Sequence, residues 1–184
     1  MRDVPGVLFE TELLIVRPWT DDDAEHVFAI YRDPEVWRYL GGGKALEDLE
    51  GARAMLRRWI AESEEAAPCG AWAVIDRATA TPIGTVMLWP LEEGPEIEVG
   101  YHFARSSWGK GYATEAAPGT ITHGFRVLVL DQLVAVVFPE NPASQRVLQK
   151  AGMIYRGMRQ TFGFDLMYYT IDRPTDLQHA GMSA

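Results

Sequence analysis

Two glycines, Gly109 and Gly111, stand between an alternating apolar segment and a helix-forming segment in the string WGKGYATEA. Every second residue from 97 to 103 is apolar, which predicts a strand. Glycines let the backbone approach a bulky anion and adopt torsions that other residues avoid. A helix that begins directly after them points free N–H groups and its positive dipole end at the same place. The segment therefore predicts a phosphate site built from backbone, with Lys110 beside it as a point charge.

Two common nucleotide-binding motifs do not fit this turn. The P-loop string G-x-x-x-x-G-K-[ST] does not occur in the chain. A dinucleotide fingerprint needs a third glycine where this chain has Thr114, and it follows a first strand, whereas this turn lies past the middle of the sequence. The turn therefore matches neither of these nucleotide-binding motifs.

The turn resembles the pyrophosphate-binding turn of the GNAT acyl-CoA N-acyltransferases, which reads [QR]-x-x-G-x-[GA]. Gly111 and Ala113 match that pattern, and Trp108 stands where Gln or Arg is usual. The form WGKGYATEA is typical of the branch that includes the RimJ and RimL ribosomal-protein N-terminal acetyltransferases. Two more segments resemble that branch: ETELLIVRPWTDDDAE near the start, and NPASQRVLQKAGM at 141–153, with Met153 for the usual Phe.

The elements around the turn follow from periodicity and from helix-capping and turn residues. They are a strand at 9–18, helices at about 20–33 and 46–65, a hairpin of strands at 71–75 and 83–89, a strand at about 96–104, a helix at about 111–128, a strand at 133–138, a helix at 142–150, and a closing hairpin of strands at 153–159 and 165–172. This order predicts a mixed α/β layer fold. It resembles the GNAT order across about 8–172, which implies a mostly antiparallel central sheet, helices on both faces and a splayed parallel strand pair. Pro118 and Gly119 predict a kink or an early end in the helix after the turn.

Composition limits the class of protein. The chain of 184 residues is 47% apolar, which suits one domain covering 1–184. Its net charge of −9 argues against nucleic-acid binding; it suits a cationic substrate or simply solubility. No apolar run is long enough to span a membrane, and the N-terminus lacks an apolar signal core, so we expect a cytoplasmic protein.

Cysteine and histidine usage indicates no metal site. Cys69 is the single cysteine, which excludes an internal disulfide and leaves a reduced thiol, or a catalytic one for which no paired base is evident. His26, His123 and His179 show no metal-ligand spacing.

The resemblance implies acetyl-CoA as the cofactor. Its diphosphate would lie on the turn, and its pantetheine arm would pair with the backbone of Phe103, Ala104 and Arg105. Asn141 would hydrogen-bond that arm or cap a helix, and Lys150 would meet a cofactor phosphate or remain solvated. The remaining expected cofactor-binding residues are Trp108, Gly109, Lys110, Gly111, Tyr112, Ala113 and Thr114.

The chemistry of amide formation suggests two catalytic candidates, since direct transfer must deprotonate an amine and protonate a leaving thiolate. Glu98 matches the base of several family members, although it is also one of a run of acidic strand residues; Glu96 and His102 share its face as rivals. Ser144 matches the serine of N-x-x-S and is the candidate for thiolate protonation. Its alternative role is to cap its own helix, and Tyr155 is its rival.

The acceptor and the wider function are the least determined. Five aromatic residues are candidates for an acceptor cleft, although at such spacing they also suit a core: Trp19, Tyr31, Trp37, Tyr39 and Trp89. The resemblance implies an N-acetyltransferase of a primary amine, first a protein N-terminal α-amino group, then a small-molecule amine such as an antibiotic. A non-catalytic acyl-CoA sensor and a purely structural domain are the alternatives. The closing hairpin could also form a homodimer interface.

Overall fold

An eight-stranded sheet forms the frame of the protein in the computed structural model, which describes residues 6–41, 43–92 and 94–175. Its strands are β1 (Phe9–Glu10), β2 (Leu14–Pro18), β3 (Gly70–Asp76), β4 (Thr81–Pro90), β5 (Ile97–Phe103), β6 (Gln132–Val137), β7 (Ile154–Thr161) and β8 (Phe164–Asp172). The helices are α1 (Ala24–Tyr31), α2 (Pro34–Trp37), α3 (Leu49–Glu65), α4 (Tyr112–Val127) and α5 (Pro142–Lys150). Single 3-10 turns occur at Asp21–Asp23 and Arg105–Ser107. The prediction for His179 lies outside the described residues.

The strand order is β1-β2-β3-β4-β5-β6-β8-β7, and neighbours are antiparallel except for β5 and β6. These two parallel strands have a single registered pair, Glu98 with Val134. Beyond that pair, both strands continue and line an open space between them. The predicted mixed, mostly antiparallel sheet with one parallel pair is confirmed.

Helices cover both faces of the sheet, as predicted. In β3, Trp72 and Val74 join one apolar cluster with residues of α4 and α5, whereas Ala73 and Ile75 join a second cluster with residues of α1 and α3. Neighbouring side chains of a strand point to opposite faces, so an uninterrupted apolar run is what a strand buried on both faces requires. The two cores hold the central strands in place from both sides.

The start of α5 follows directly from its sequence. Pro142 occupies the first helical position, where its missing N–H is not needed. Asn141 is the N-cap, and its Oδ1 accepts a hydrogen bond of 3.1 Å from the N–H of Ser144. The capping fixes the position of Ser144 in the first turn of α5.

Three local predictions differ from the structure. The predicted strand at 9–18 is two strands, because a turn in which the N–H of Thr11 donates to the carbonyl of Leu14 (2.9 Å) separates them. The short α2 is additional; Asp33 caps it by accepting from the N–H of Glu35 at 2.9 Å. The early end of α4 is wrong, because the helix continues past Pro118 to Val127.

Gly119 allows close packing between α4 and β1. A Cβ built on Gly119 would come within 3.0 Å of the Phe9 ring, closer than real Cβ atoms come to other atoms. A side chain at this position would therefore force the ring or the helix to move.

We expect Gly119→Ala to destabilise the protein even though alanine favours helices. Overpacking typically costs about 1–3 kcal/mol, which exceeds the roughly 1 kcal/mol gained from helix propensity. Urea denaturation should show a net loss of about 1 kcal/mol, with recovery in the Phe9→Ala/Gly119→Ala double variant. Equal losses with and without the Phe9 ring would contradict this account.

Candidate active site

A cleft of about 860 Å³ occupies the space where β5 and β6 separate. It extends from the residues before α4 to the segment after α2 and the β7–β8 hairpin. The two faces of β5 supply different groups: His102 contacts Tyr31 of α1, whereas Tyr101 contacts Ser144 of α5. The cleft therefore connects the two faces of the sheet through the gap between the strands.

The glycine turn at one end has the predicted geometry. Gly109 has φ +74° and Gly111, the N-cap of α4, has φ +87°. A Cβ at either position would meet nothing within 4 Å, so the backbone conformation and the open space in front of it explain these glycines. The first bond of α4 joins the N–H of Glu115 to the carbonyl of Gly111, which leaves the N–H groups of residues 112–114 without helical acceptors.

Two cations on α5, Arg146 and Lys150, line the same cleft. Neither forms an ion pair with a residue that the structure describes. Lys110 is exposed and lies outside the lining of the cleft, as does Arg105. Free helical amides facing open space beside two unpaired cations suit a ligand with a diphosphate. Arg146 was missed from sequence, although its spacing of four residues from Lys150 puts both on one helix face.

The backbone at the end of β5 is partly engaged already. The N–H of Ala104 donates to Ile83 on β4 and its carbonyl accepts from Ser107, while the Trp108 indole donates to the carbonyl of Phe103 at 2.9 Å. Because antiparallel strands alternate the direction of their hydrogen bonds, Tyr101 and Phe103 turn their backbone N–H groups toward β6. An extended ligand in the gap would find donors there rather than on Ala104.

Glu98 lies in the cleft at the point where the strands part. Its side chain is half-buried, and burial raises its pKa to about 7, against the opposing effect of the backbone N–H of Val136. A carboxyl group in this state holds its proton weakly at neutral pH. It can therefore take a proton from a ligand and release it again.

Glu96 and His102, the alternative candidates for the base, differ from Glu98 in their pKa. Glu96 accepts from Arg159 at 2.7 Å and from the Tyr168 hydroxyl at 3.3 Å, and the Arg159 hydrogen bond is the main influence that lowers its pKa. His102 lines the cleft, but burial lowers its pKa to about 4, and its Nδ1 lies 3.2 Å from the Tyr31 hydroxyl. An ion-paired carboxylate and a weakly basic imidazole are both poorer bases than Glu98.

Ser144 also lines the cleft, from the other face of the sheet. Its Oγ lies 2.8 Å from the hydroxyl of Tyr101, which also donates to the Ser144 carbonyl at 3.2 Å. Burial raises the pKa of Tyr101, so its hydroxyl keeps its proton. Sequence reasoning missed Tyr101, since alternation alone made it a core residue of β5. Tyr155 is exposed, packs near Tyr169 and does not line the cleft.

Most of the predicted acceptor aromatics serve the core instead. Trp19 and Tyr31 are buried in the cluster around α1 and α3, and the Trp37 indole donates to the Tyr31 carbonyl. Trp89 pairs with Glu98 across the β4–β5 ladder but lies outside the cleft lining. Only Tyr39 of the five lines the cleft; Phe138, Phe162 and Phe164 line it as well, away from the glycine turn.

The family model described as the acetyltransferase (GNAT) domain matches residues 14–154. The chain belongs to the GNAT acetyltransferase family. The uncharacterized N-acetyltransferase YoaA of Bacillus subtilis is 32% identical over 176 residues, covering 92% of this chain and 98% of YoaA. With this family membership and this relative, the protein is an N-acetyltransferase, and GNAT acetyltransferases use acetyl-CoA.

Solved structures support the same fold. A GNAT-family acetyltransferase from Bacillus anthracis is 27% identical with a TM-score of 0.75, covering 89% of this chain and 96% of its own. RimJ of Mycobacterium smegmatis, in complex with CoA-disulfide, has 20% identity, a TM-score of 0.71 and coverage of 86% and 81%. AAC(6')-Ib, in complex with ribostamycin and coenzyme A, has 16% identity, a TM-score of 0.74 and coverage of 94% and 99%. The last two likenesses concern the fold alone.

Three further features of the acetyltransferase are its candidate metal ligands, its thiol and the hydropathy of its helices, each within the described residues. No group of three or more His, Cys, Asp or Glu residues there could hold a metal ion. Cys69 is buried outside the cleft, and burial raises its thiol pKa. None of the helices in these ranges has the length and hydropathy of a membrane span.

Replacing Gly111 with alanine should weaken cofactor binding by the acetyltransferase about tenfold or more, because the Cβ would enter the open space before the α4 amides. Gly157→Ala is the matched control, since Gly157 has φ +118° with nothing within 4 Å of its Cβ position and lies outside the cleft. Both variants should lose about 1 kcal/mol of stability from backbone strain. Calorimetric titration with coenzyme A should separate them, and an equal affinity in both variants would contradict the assignment.

Glu98→Gln should stabilise the acetyltransferase, and increasingly so as pH rises. The folded pKa of Glu98, about 7, lies above its ordinary value of 4.5, so stability present at low pH is lost as pH rises through this interval. The amide escapes that loss, and the variant's advantage in Tm should grow between about pH 5 and pH 8.

Glu96→Gln is the control of opposite sign. The pKa of Glu96 is lowered, so its contribution to stability is present at neutral pH and lost on acidification. This variant should therefore melt below the wild type at neutral pH, by a margin that shrinks in acid. A Glu98→Gln variant that behaves in the same way would show that Glu98 is a stabilising carboxylate.

Proposed function

We propose that this GNAT enzyme transfers an acetyl group from acetyl-CoA directly to a primary amine, with Glu98 as the general base. The observation that carries the proposal is a half-buried carboxyl group with a pKa near 7 in the gap between β5 and β6. General bases work best when their pKa lies close to the operating pH. Burying a carboxyl group without an ion pair also lowers stability, which favours a functional reason for it.

The proposed cofactor contacts follow the cleft from the turn to Glu98. The N–H groups of residues 112–114 would hold the diphosphate, with Arg146 and Lys150 as counter-charges. The N–H groups of Tyr101 and Phe103 that face β6 would bind the pantetheine arm along the gap, which moves this contact away from Ala104 and Arg105. When bound, acetyl-CoA supplies an acetyl group activated as a thioester.

Glu98 and Ser144 approach the gap from opposite faces of the sheet. Glu98 would accept a proton from the incoming ammonium, so that a neutral amine attacks. As the amine attacks and the C–S bond breaks, its nitrogen would release a second proton to solvent. Ser144 would supply a proton to the leaving thiolate and regain one from solvent, while Tyr101 would hold the serine hydroxyl in place and share that transfer. The attacking amine and the leaving thiolate would thus meet different side chains. The acetyl group would pass directly to the amine, without an acyl-enzyme.

The acceptor in this proposal is first an N-terminal α-amino group, with a small-molecule amine as the alternative. RimJ and the enzyme crystallised with ribostamycin both have this fold, so the fold is compatible with either acceptor class. A non-catalytic acyl-CoA sensor would have no use for the raised pKa of Glu98. All of the proposed groups come from one chain, acting as one domain; a homodimer through the β7–β8 hairpin stays a prediction.

Turnover should depend on ionised Glu98. Thiol release from acetyl-CoA in the presence of amines and short peptides should rise with pH through about 7, because the carboxylate form is the active one. Glu98→Gln should lower kcat roughly 100-fold or more, retain coenzyme A binding and lose that pH dependence, with Glu96→Gln as the matched control.

Two results would contradict the proposal in different ways. Normal turnover in Glu98→Gln would move the base to His102 or to water. Coenzyme A binding without amine-dependent thiol release from any acceptor would instead indicate a sensor.

A further inference from the structure

Four aromatic side chains, Tyr39, Phe138, Phe162 and Phe164, line the cleft away from the glycine turn, and we call them the aromatic mouth. Tyr39 and Phe138 have ring centroids 6.1 Å apart, and Phe138 and Phe164 are 5.1 Å apart in an edge-to-face arrangement. The Tyr39 hydroxyl donates to the carbonyl of Glu140 at 2.9 Å. Three of the four rings are therefore fixed by contacts with one another or with the backbone.

The aromatic mouth lies on the same face of the sheet as Glu98. Glu98 pairs with Val134, so side chains two and four residues further along from Val134 share its face. Phe138 is the fourth, and it packs against Tyr39 in the segment after α2, on the α1 side. An amine with its nitrogen at Glu98 would therefore lie on the side of the sheet where Phe138 and Tyr39 line the cleft.

Phe162 holds a conformation that phenylalanine rarely adopts. Phe162 and Gly163 connect β7 to β8 with φ of +53° and +77°. This two-residue turn with both φ values positive strongly favours Asn-Gly, because bulky residues are strained there. Phe162 is nevertheless 43% exposed at the cleft, held by a 2.8 Å hydrogen bond from its N–H to Glu92. A strained, exposed aromatic residue in the lining of this cleft favours a role of its side chain in ligand binding.

The charges of the cleft limit the acceptor further. Its lining includes two carboxylates, Glu35 and Glu98, and three cations, Arg38, Arg146 and Lys150. Glu35 forms a 3.5 Å ion pair with Arg38, so it is already partly neutralised. A polyamine or an aminoglycoside carries several positive charges and would need several free carboxylates around it. With Arg146 and Lys150 proposed as counter-charges of the diphosphate, the described lining leaves an acceptor one carboxyl group outside an ion pair, Glu98.

We infer that the acceptor is a monoamine whose amino group is attached to an apolar group, above all an aromatic one, and that Phe162 selects it. This inference rests on the proposed function and narrows its acceptor. It disfavours multiply charged antibiotics and favours an aralkylamine or an α-amino group next to an apolar side chain.

The test variant is Phe162→Asn, because it removes the ring and creates the turn sequence that this geometry prefers. Its Tm should equal or exceed that of the wild type, so a functional loss cannot come from misfolding. Ile154→Thr is the control. Ile154 is an exposed apolar residue of the same hairpin and lies outside the cleft, and its replacement by threonine keeps a β-branched side chain.

The experiment compares kcat/KM for 2-phenylethylamine, methylamine, spermidine and kanamycin by thiol release. The wild type should prefer 2-phenylethylamine to both polycations by about tenfold or more. Phe162→Asn should reduce the preference for 2-phenylethylamine over methylamine about two- to tenfold, mainly through KM, as expected for the loss of one aromatic contact. Ile154→Thr should keep the wild-type ratio.

Binding measurements distinguish a failure of this inference from a failure of the proposed function. Calorimetric titration of each amine into the coenzyme A complex needs no turnover. If 2-phenylethylamine binds and Phe162→Asn weakens that binding, the preference of the aromatic mouth is supported, and a failure of thiol release would then count against the proposed function alone. Preference for spermidine or kanamycin, or an unchanged ratio in Phe162→Asn, would overturn the inference and leave the acetyltransferase proposal intact.

Discussion

The pairing of β5 with β6 at Glu98 and Val134 alone is the constraint on which the rest of the structure depends. Parallel strands normally continue their hydrogen bonds along their length, and here the unused groups of both strands face a cleft. Two apolar cores, one on each face, keep the strands from closing the gap or drifting apart. The same opening exposes backbone donors to an extended ligand and brings side chains from opposite faces within reach of one reaction centre.

Electrostatics in the gap depend on this architecture. Burial raises the pKa of Glu98, which has no ion pair among the described residues, while Glu96, two residues earlier on the same face, is paired with Arg159, which lowers its pKa. The difference comes from the neighbouring strands, since β7 supplies a guanidinium to one position and nothing similar to the other. Two carboxyl groups only two residues apart thus differ in the direction of their pKa shift.

The helices, strands and turns that depend on residues close in sequence could be predicted. Contacts between segments far apart in sequence could not. The glycine turn, the capped start of α5 and the apolar run of β3 each depend on neighbours in sequence, and all three agree with the structure. The aromatic mouth joins residues 39 and 164, which no local pattern connects, and the hydrogen bond between Tyr101 and Ser144 exists only once α5 packs on the sheet. From sequence, Trp19 and Tyr31 are candidates for either the acceptor cleft or the core, because periodicity shows that a ring is inward-facing but not which of the two surrounds it; the structure places both in the core.

Trp108 gives the molecule an optical property of its own. Of the six tryptophans, all in the described residues, it alone is exposed, with 47% of its surface accessible, while Trp19 and Trp72 are buried and the others are half-buried. Its indole is tethered to the carbonyl of Phe103 at the edge of the cleft. Water-borne quenchers would reach this indole before any other, so the protein contains a natural fluorophore at the entrance of the cleft, where an arriving ligand would shield it.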